Sequence, residues 1–535
     1  MPAQELYPHN LDYALTLKKT YYLINDTSGK ALKINLQTSD KRWQVNNELV
    51  SFPLANDYDD RLYLAGHYGK SSTWLLRKLT KENLFIVSVK DFKLAVDPLF
   101  DLNYKRSFGK GRKNHFQNTR GLLLRGSITD KLYFETSFYE NQTNFVNYVN
   151  DYIQTYAVVP GLITVKNFKS SSYDYGIAYG LLSYTPLSKA WTSLNIQIGN
   201  DKNFFGDGYR SLLLSDCSAP YPFLKINWKY KKLSYTCLFS SFQNISDGNV
   251  IHYDTIVWNA GYQKKTGTFH YLSYFVNNRL DLSLFESTIW QVADSGGKHF
   301  NPDFFNPIIG FNSAEFGLNG KNNCLLGLNL LFKASNNIHF YGQLAIDDLR
   351  LNKISEKGYF HNREGIQVGI EAFDMFGFKN LSVQTEYNQA QPYMYSDKSP
   401  SESFTHYNQP LADPLGANFK EGIGIIRYRI RKYFVRAQFN VATYGADSLN
   451  SNWGKNLFLT DLSASQTGAN KIGQGVMTKM KYVDVCFSWL LNPATNMNIF
   501  IGATYRNEKN SFENTHDRFV YFGFRTSLRN EYFDF

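Results

Sequence analysis

The run Phe92-Lys93-Leu94-Ala95-Val96-Asp97-Pro98-Leu99-Phe100-Asp101-Leu102-Asn103-Tyr104-Lys105-Arg106 alternates along its whole length. Leu94, Val96, Pro98, Phe100, Leu102 and Tyr104 share one parity, whereas Lys93, Asp97, Asp101, Asn103 and Lys105 share the other, with Leu99 the exception. Successive side chains of a strand point to opposite faces, so this run has one apolar and one charged face. The rhythm returns around Arg431-Lys432. There Ile426, Tyr428, Ile430, Tyr433, Val435, Ala437 and Phe439 oppose Arg427, Arg429, Arg436 and Gln438. It returns again near the C-terminus, where Val520, Phe522, Phe524, Thr526 and Leu528 oppose Arg525, Ser527 and Arg529. Segments of about 9–11 residues with this alternation mark a transmembrane barrel, apolar toward lipid and polar toward the lumen. A soluble antiparallel sandwich also alternates. Two further features favour the barrel.

The first is the connections. Short turns are expected at 129–131, 187–189, 231–232, 264–268, 334–337, 376–378, 431–432 and 492–496. Long polar segments at 143–172, 201–220, 279–322, 349–364, 389–419 and 445–471, with shorter ones at 109–117, 244–253 and 507–516, alternate with them. Short turns on one rim and long extracellular loops on the other belong to outer-membrane barrels. Counting between the connections predicts 18 strands, or 20 if 279–322 holds a further pair; both totals are even. The second feature is the ending Glu531-Tyr532-Phe533-Asp534-Phe535, whose rings suit an interfacial aromatic girdle. The fold expectation is therefore an all-β transmembrane antiparallel barrel over residues 92–535. A small α/β N-terminal region over 1–91, periplasmic or partly closing the barrel, precedes it. That region reads as helices at Leu11–Ile24 and Ser71–Leu79 and a strand at Leu84–Val89.

Composition agrees and excludes other classes. Of 535 residues 16% are aromatic, which is incompatible with an intrinsically disordered chain. The best uncharged stretch, Cys486 to Tyr505, is interrupted by Asn492-Pro493 and reads as two strands around a turn, not as a helical span. The net charge of +11 comes from scattered Lys and Arg, so no nucleic-acid partner is expected. Cys217, Cys237, Cys324 and Cys486 lie far apart without metal-ligand spacing, and no cofactor or metal is expected. No charged start followed by an apolar run opens the chain; export would require a signal no longer present.

Several segments resemble the Wzi-like capsule-assembly family of outer-membrane barrels, and within it the Bacteroidota gliding-motility branch, RemB-like. They are Asp97-Pro98-Leu99-Phe100, Asn118-Thr119-Arg120-Gly121, Glu135-Thr136-Ser137-Phe138-Tyr139-Glu140-Asn141 and Gly206-Asp207-Gly208-Tyr209-Arg210-Ser211-Leu212-Leu213-Leu214-Ser215-Asp216. Tyr341-Gly342-Gln343 and Tyr532-Phe533-Asp534-Phe535 also match. The resemblance spans roughly residue 70 to the C-terminus, and Gly206–Asp216 is its most specific piece. It implies an 18-stranded outer-membrane barrel partly closed by an N-terminal region, with a role in holding capsular polysaccharide or in surface gliding. No saccharide-binding residues carry over by position.

The residues themselves point to three functional readings. A non-enzymatic surface component would bind polysaccharide or motility or secretion machinery through its loops. The segment 387–407, with Tyr393, Tyr395, Phe404 and Tyr407, offers rings for stacking on sugars. A diffusion porin would use Arg427, Arg429 and Arg436 to favour anions, unless lumenal acids such as Asp97, Asp101 and Glu135 pair with the arginines. An outer-membrane hydrolase would need a nucleophile–base constellation. His252-Tyr253-Asp254 and His516-Asp517 do not supply one, because strand neighbours face opposite ways. The Gly109–Lys113 run lacks the phosphate-loop pattern. The chain is expected to act as a monomeric barrel in lipid, in the outer membrane of a Gram-negative bacterium.

Two local expectations are specific. A three-residue turn at 129–131 pairs Ile128 with Leu132 and sets Arg125 opposite Glu135. Both are lumenal, with Leu122, Leu124, Phe134 and Phe138 toward lipid, and the charge pair contributes about 0.2–1 kcal/mol. The loop Phe204–Asp216 carries Leu212-Leu213-Leu214, each losing about 1.5–3 kcal/mol if left in water. It is therefore expected to fold into the barrel. Arg210 would pair with Asp207, Asp216 or a lumenal acid, and Gly206 and Gly208 would allow the reversal.

Overall fold

The computed structural model describes residues 73–108, 113–129, 131–169, 171–189, 191–245, 263–294, 297–298, 302–316, 322–348, 353, 355–448 and 451–535, with the backbone of 3–4 and 45–46. The expected helix at 11–24 lies outside these residues, as do 109–112 and 252–254.

Alternating segments become an antiparallel wall because each strand hydrogen-bonds its sequence neighbours across a short turn or a loop. The strands are β1 (Phe92–Ser107), β2 (Asn114–Ile128), β3 (Leu132–Thr143), β4 (Ser172–Lys189), β5 (Thr192–Asp201) and β6 (Tyr221–Tyr230). Next come β7 (Leu233–Asn244), β8 (Gln263–Phe275), β9 (Leu280–Gln291), β10 (Asn323–Lys333), β11 (Ile338–Asp348) and β12 (Arg363–Phe373). The circuit ends with β13 (Leu381–Ala390), β14 (Phe419–Ile430), β15 (Tyr433–Ala446), β16 (Val476–Asn492), β17 (Met497–Lys509) and β18 (Asn514–Arg525). β18 returns to β1, with Phe522 opposite Tyr104 and Arg525 opposite Asp101, so the barrel closes at 18 strands and not 20. Below that pairing the same edge of β1 is taken by Phe85–Val89, with Phe85 opposite Val96. This short strand follows helix α1 (Trp74–Thr80). No helix among the described residues is long and apolar enough to cross a membrane.

The faces follow the parity of the sequence. Ala95, Asp97, Leu99 and Asp101 are buried inside, whereas Leu102, Leu122, Phe138, Ile426, Phe439 and Phe522 project outward and are exposed. Phe100 and Phe524 lie on the same outer face, their rings 6.5 Å apart across the closing pair. This apolar girdle, with short turns on one rim and long loops on the other, is the architecture of an outer-membrane barrel. An arginine at Phe522, which is 58% exposed beside Tyr104, is expected to cost about 2–4 kcal/mol near mid-membrane. Unfolding in lipid vesicles measures it, and an unchanged midpoint would mean the parity is inverted.

The register at 129–131 is as expected: Ile128 opposes Leu132 and Arg125 opposes Glu135. The charges are engaged elsewhere. Arg125 Nη2 lies 3.7 Å from Asp97 and donates to the Ala494 carbonyl, while Glu135 receives Arg529 at 3.0 Å.

Three expectations need correction. The segment 264–268 is not a turn but part of β8; the turn is 276–279, and β9 occupies the start of the supposed long loop. Its polarity misleads because Lys265 faces the lumen, donating to the Ser403 carbonyl at 2.6 Å, while Thr268 bonds the Phe304 carbonyl. Residues 187–189 likewise belong to β4, whose pairing with β5 shifts between Tyr184 and Leu187, around Pro186. A proline cannot donate to the ladder and is tolerated at such an irregularity. The third concerns the ending. β18 stops at Arg525, and residues 526–535 turn into the lumen, so Tyr532, Asp534 and Leu528 are buried and do not sit in a girdle. Thr526 makes the exit, receiving the Phe100 N–H at 2.8 Å on its hydroxyl.

Candidate functional site

Two chain segments meet inside the barrel. The first is the loop 202–220 between β5 and β6, in which Asp207, Tyr209, Arg210, Leu212, Leu213, Leu214 and Asp216 are all buried. Local chemistry makes the inward reversal. Phe205 N–H donates to the Leu214 carbonyl at 2.9 Å, and the Ser211 hydroxyl to the Phe205 carbonyl at 2.6 Å. Gly206 has φ +143°, and a Cβ there would collide with the Gln343 amide. Only glycine suits both demands. At Gly208 a Cβ would stand 2.5 Å from a Glu386 carboxylate oxygen.

The loop's backbone is satisfied by side chains of the wall. Gln343 on β11 accepts Leu212 N–H at 2.8 Å, Gln367 on β12 donates to the Arg210 carbonyl at 2.9 Å, and Glu386 on β13 accepts Tyr209 and Arg210 N–H at 2.6 and 3.0 Å. Gln343 and Gln367 belong to a cross-strand polar ladder in which Asn329, Gln343, Gln367, Asn388 and Glu421 are directly opposed in turn. A buried loop is stable only when its peptide groups find such partners. The leucines join Phe205, Tyr271, Phe285 and Leu325 in one apolar cluster. Leu213 occupies the space that a side chain at Gly327 would need.

The second segment is the C-terminal tail. Asp534 lies 3.1 Å from Arg210 Nη2 and also accepts Tyr209 Oη at 2.9 Å and Gln438 Nε2 at 2.5 Å. Glu421 lies on the other side of the guanidinium at 3.3 Å. Arg210 thus joins the loop to the tail and to a lumenal acid. Of the three partners expected for Arg210, the lumenal acid is the one it meets, as Glu421; Asp207 instead accepts Asn329 Nδ2 and Asp216 accepts Tyr532 Oη, both at 2.8 Å. Burial tends to raise the Asp534 pKa, but the Arg210 charge and the bonds from Tyr209 and Asn440 hold it below the ordinary carboxylate value. Burial pushes the Asp216 carboxyl up to about 7 against the opposing pull of the Tyr532 hydroxyl. Lower on the tail, Arg529 bridges Glu135 and Asp201 at 3.0 and 2.6 Å. Above the plug, the loops close over it. Helix α2 (Asn147–Tyr156) sets Tyr152 5.1 Å from the Phe535 ring, and Gln409 holds Gly161 N–H and the Leu162 carbonyl.

A cavity of about 260 Å³ lies between the tail and the wall, lined from Asn496 and Asn498 at the short-turn rim to Phe145 and Tyr148 at the base of a long loop. Its lining interleaves the basic Lys105, Arg427, Arg436 and Arg525 with the acidic Asp101, Asp484, Glu531 and Asp534. Arg427 and Arg436 are directly opposed on β14 and β15. Arg436 pairs with Asp484 at 3.0 Å, and Arg427 donates to Gln384 at 3.3 Å. Arg525 approaches Asp101 at 3.8 Å; Asp97 accepts Leu84 N–H and the Asn83 amide. Arg429 is buried on the same inward face.

The rings proposed for sugar stacking are placed otherwise. Tyr393, Tyr395 and Phe404 are buried, with Tyr395 Oη bonded to the Leu212 carbonyl and Tyr393 Oη to the Asn452 carbonyl, both at 2.8 Å. They are the roof of the plug and cannot meet an external ligand. Tyr407 is half-buried. Sequence reasoning missed Glu386, Glu421, Gln343, Gln367 and Arg529 as parts of the site. Inward parity on apolar strands was the available signal for the four wall residues.

With the segment tied at so many points, trypsin is expected to leave Arg210 uncut in the folded protein on intact cells. Ready cleavage there would show an exposed loop.

No family model matches the chain, and no curated protein does. Solved structures do. The fold is similar to that of Wzi of Escherichia coli, an outer-membrane protein involved in group 1 capsule assembly and described as a carbohydrate-binding β-barrel. That match has 13% identity over 81% of this chain and 85% of that one, with a TM-score of 0.47. It is also similar to the outer-membrane protein OprD of Pseudomonas aeruginosa (10% identity, 84% and 96% covered, TM-score 0.43) and to a BenF-like porin of Pseudomonas fluorescens (9%, 82% and 99%, 0.44). At these identities the similarity is one of architecture.

Proposed function

We propose that this chain is a non-enzymatic component of a Gram-negative outer membrane. It works at the cell surface in retaining surface polysaccharide or in gliding motility, and is not a diffusion pore. The observation that carries the reading is the lumen at Arg210, where loop and tail are joined to each other and to Glu421 across buried contacts of 3.1–3.3 Å. That junction occupies the lumen beside β13, β14 and β15, and the cavity along the tail is the space left next to it. The segments Gly206–Asp216 and Tyr532–Phe535, which carry the sequence resemblance to Wzi-like and RemB-like barrels, are the two that form it. Lys105, Arg427, Arg436 and Arg525 around the cavity along the tail are the feature that favours the alternative, an anion-selective porin.

Planar-bilayer recording of the purified protein separates the two. The plugged reading expects no steady current, and a stable anion-selective conductance would replace it with the porin. A deletion strain then distinguishes the surface roles. Loss of polysaccharide retention with normal spreading supports retention, loss of spreading with intact polysaccharide supports motility, and no change in either would sink both.

A further inference from the structure

One sector of the outer wall breaks the apolar rule. Directly opposed residues on its outer face run Ile226, Cys237, His270, Glu286, Leu326 and Ile346 across β6 to β11. Glu286 is the fourth outward residue of β9 from the short-turn rim, after Leu280, Leu282 and Leu284. The fourth outward residues of β14 and β15 are Gly424 and Phe439, directly opposed to each other, and Phe439 is opposed by Val483 of β16. An ionisable side chain at such depth on a lipid-facing wall is expensive and calls for a specific partner.

The partner is the segment 302–316, which descends from the long loop after β9 and lies on the outside of the wall. Glu286 accepts the N–H groups of Gly310 and Ser313 at 2.6 and 2.8 Å. Tyr235 Oη, 3.0 Å from His270 Nδ1, donates to the Pro307 carbonyl, and Thr268 donates to the Phe304 carbonyl. Within the segment, Asn306 N–H reaches the Asp303 carbonyl, Ile308 N–H the Asn306 side chain, and Phe311 N–H the Ile308 carbonyl. Phe304 and Phe305 pack on Phe239 of the wall. Irregular backbone is excluded from hydrocarbon unless its polar groups are satisfied by protein. Here the outward polar side chains of the wall supply that satisfaction. His270 and Glu286 are fully buried beneath the segment, while Phe305, packed by one edge on the wall, and Ile308 are 48% and 59% exposed. On the same outer face Leu284, the outward neighbour of Glu286, and its opposite residue Leu328 are 49% and 48% exposed.

We infer that residues 302–316 form a lipid-embedded latch on the outer wall, with Phe305 and Ile308 against acyl chains of the outer leaflet and Glu286 as its anchor. The occupant is lipid because the exposed residues lie on the same outer face as the lipid girdle, and the peptide groups of Phe304, Pro307, Gly310 and Ser313 are bonded to the wall beneath. This goes beyond the surface role and stands independently of it.

Spin labels at Phe305→Cys and Ile308→Cys test it in the full chain reconstituted into phosphatidylcholine vesicles. Cys486 is replaced by serine, and the other native cysteines are buried. Both labels are expected to meet oxygen severalfold more readily than a water-soluble nickel chelate, as a label at Leu328→Cys does. A chelate preference like that of a label at Phe512→Cys would place the segment in water and overturn the inference. Shielding from both reagents would mean a protein covers it, and would overturn it equally. With Glu286→Ala added, chelate access at residue 308 should rise severalfold. An unchanged value in a barrel that still migrates as folded would refute the anchor.

Discussion

Arg210→Met is expected to destabilise the folded barrel by about 3–5 kcal/mol, the cost of breaking a buried ion pair by removing one partner. The arginine is 2% exposed and is flanked by Asp534 and Glu421, which are 3% and 1% exposed. Methionine fills much of the volume but leaves those carboxylates facing each other in a dry interior. They must then take up protons or admit water, and either loosens the junction of loop and tail. Heat- or urea-induced loss of the compact electrophoretic form measures the change. Adding Glu421→Gln and Asp534→Asn should recover part of it, since replacing a whole buried charge cluster by neutral groups is far less costly than halving it. A triple variant as unstable as the single one would mean the arginine acts through packing alone. The same single variant should show intermittent conductance that the native protein lacks.

Leu213→Ala is expected to cost about 2–5 kcal/mol, as for other fully buried leucines. The residue is inaccessible and sits in the notch that Gly327 leaves in β10. The wall cannot collapse into the vacated space, because its strands are held by ladders on both sides, so much of the cavity should persist. Gly327→Ala alone should also destabilise, by about 1–3 kcal/mol, through overpacking against the same side chain. The two changes together should be less harmful than their sum. Strict additivity in the unfolding midpoint would show that residues 213 and 327 do not share the space.

The wall and the plug differ in how far they could be read. Along β1 the parity of Leu94 to Tyr104 against Asp97 and Asp101 assigns lipid and lumen faces directly, because a strand's two faces depend only on odd and even position. The turn at 129–131 gives the β2–β3 register for the same local reason. At 264–268 this logic failed. Lys265 and Thr268 are polar because the Ser403 and Phe304 carbonyls need donors there, and nothing near them in sequence reveals those partners. The leucines at 212–214 announced burial, since solvent is the one place they do not belong, but not what they would be buried against. Tyr393 and Tyr395 looked like ligand-binding rings in a polar loop, yet the roof of a plug has the same composition.

By itself, the sequence determined that the chain would form a closed antiparallel membrane wall, which face meets lipid in the runs 94–104, 122–138, 426–439 and 520–524, and that the Phe204–Asp216 loop would turn inward. Each depends on local alternation or on hydrophobic burial, and both are written within a few residues. Only the tertiary structure decided that the last ten residues leave the wall to enter the lumen, that Arg210 meets Asp534 and Glu421, and that Glu286 anchors a segment on the outer wall. Arg210 and Asp534 are separated by 324 residues. Contacts at such separation are set by which inward positions the closed barrel brings level with one another, and that follows from the stagger of all the strands together.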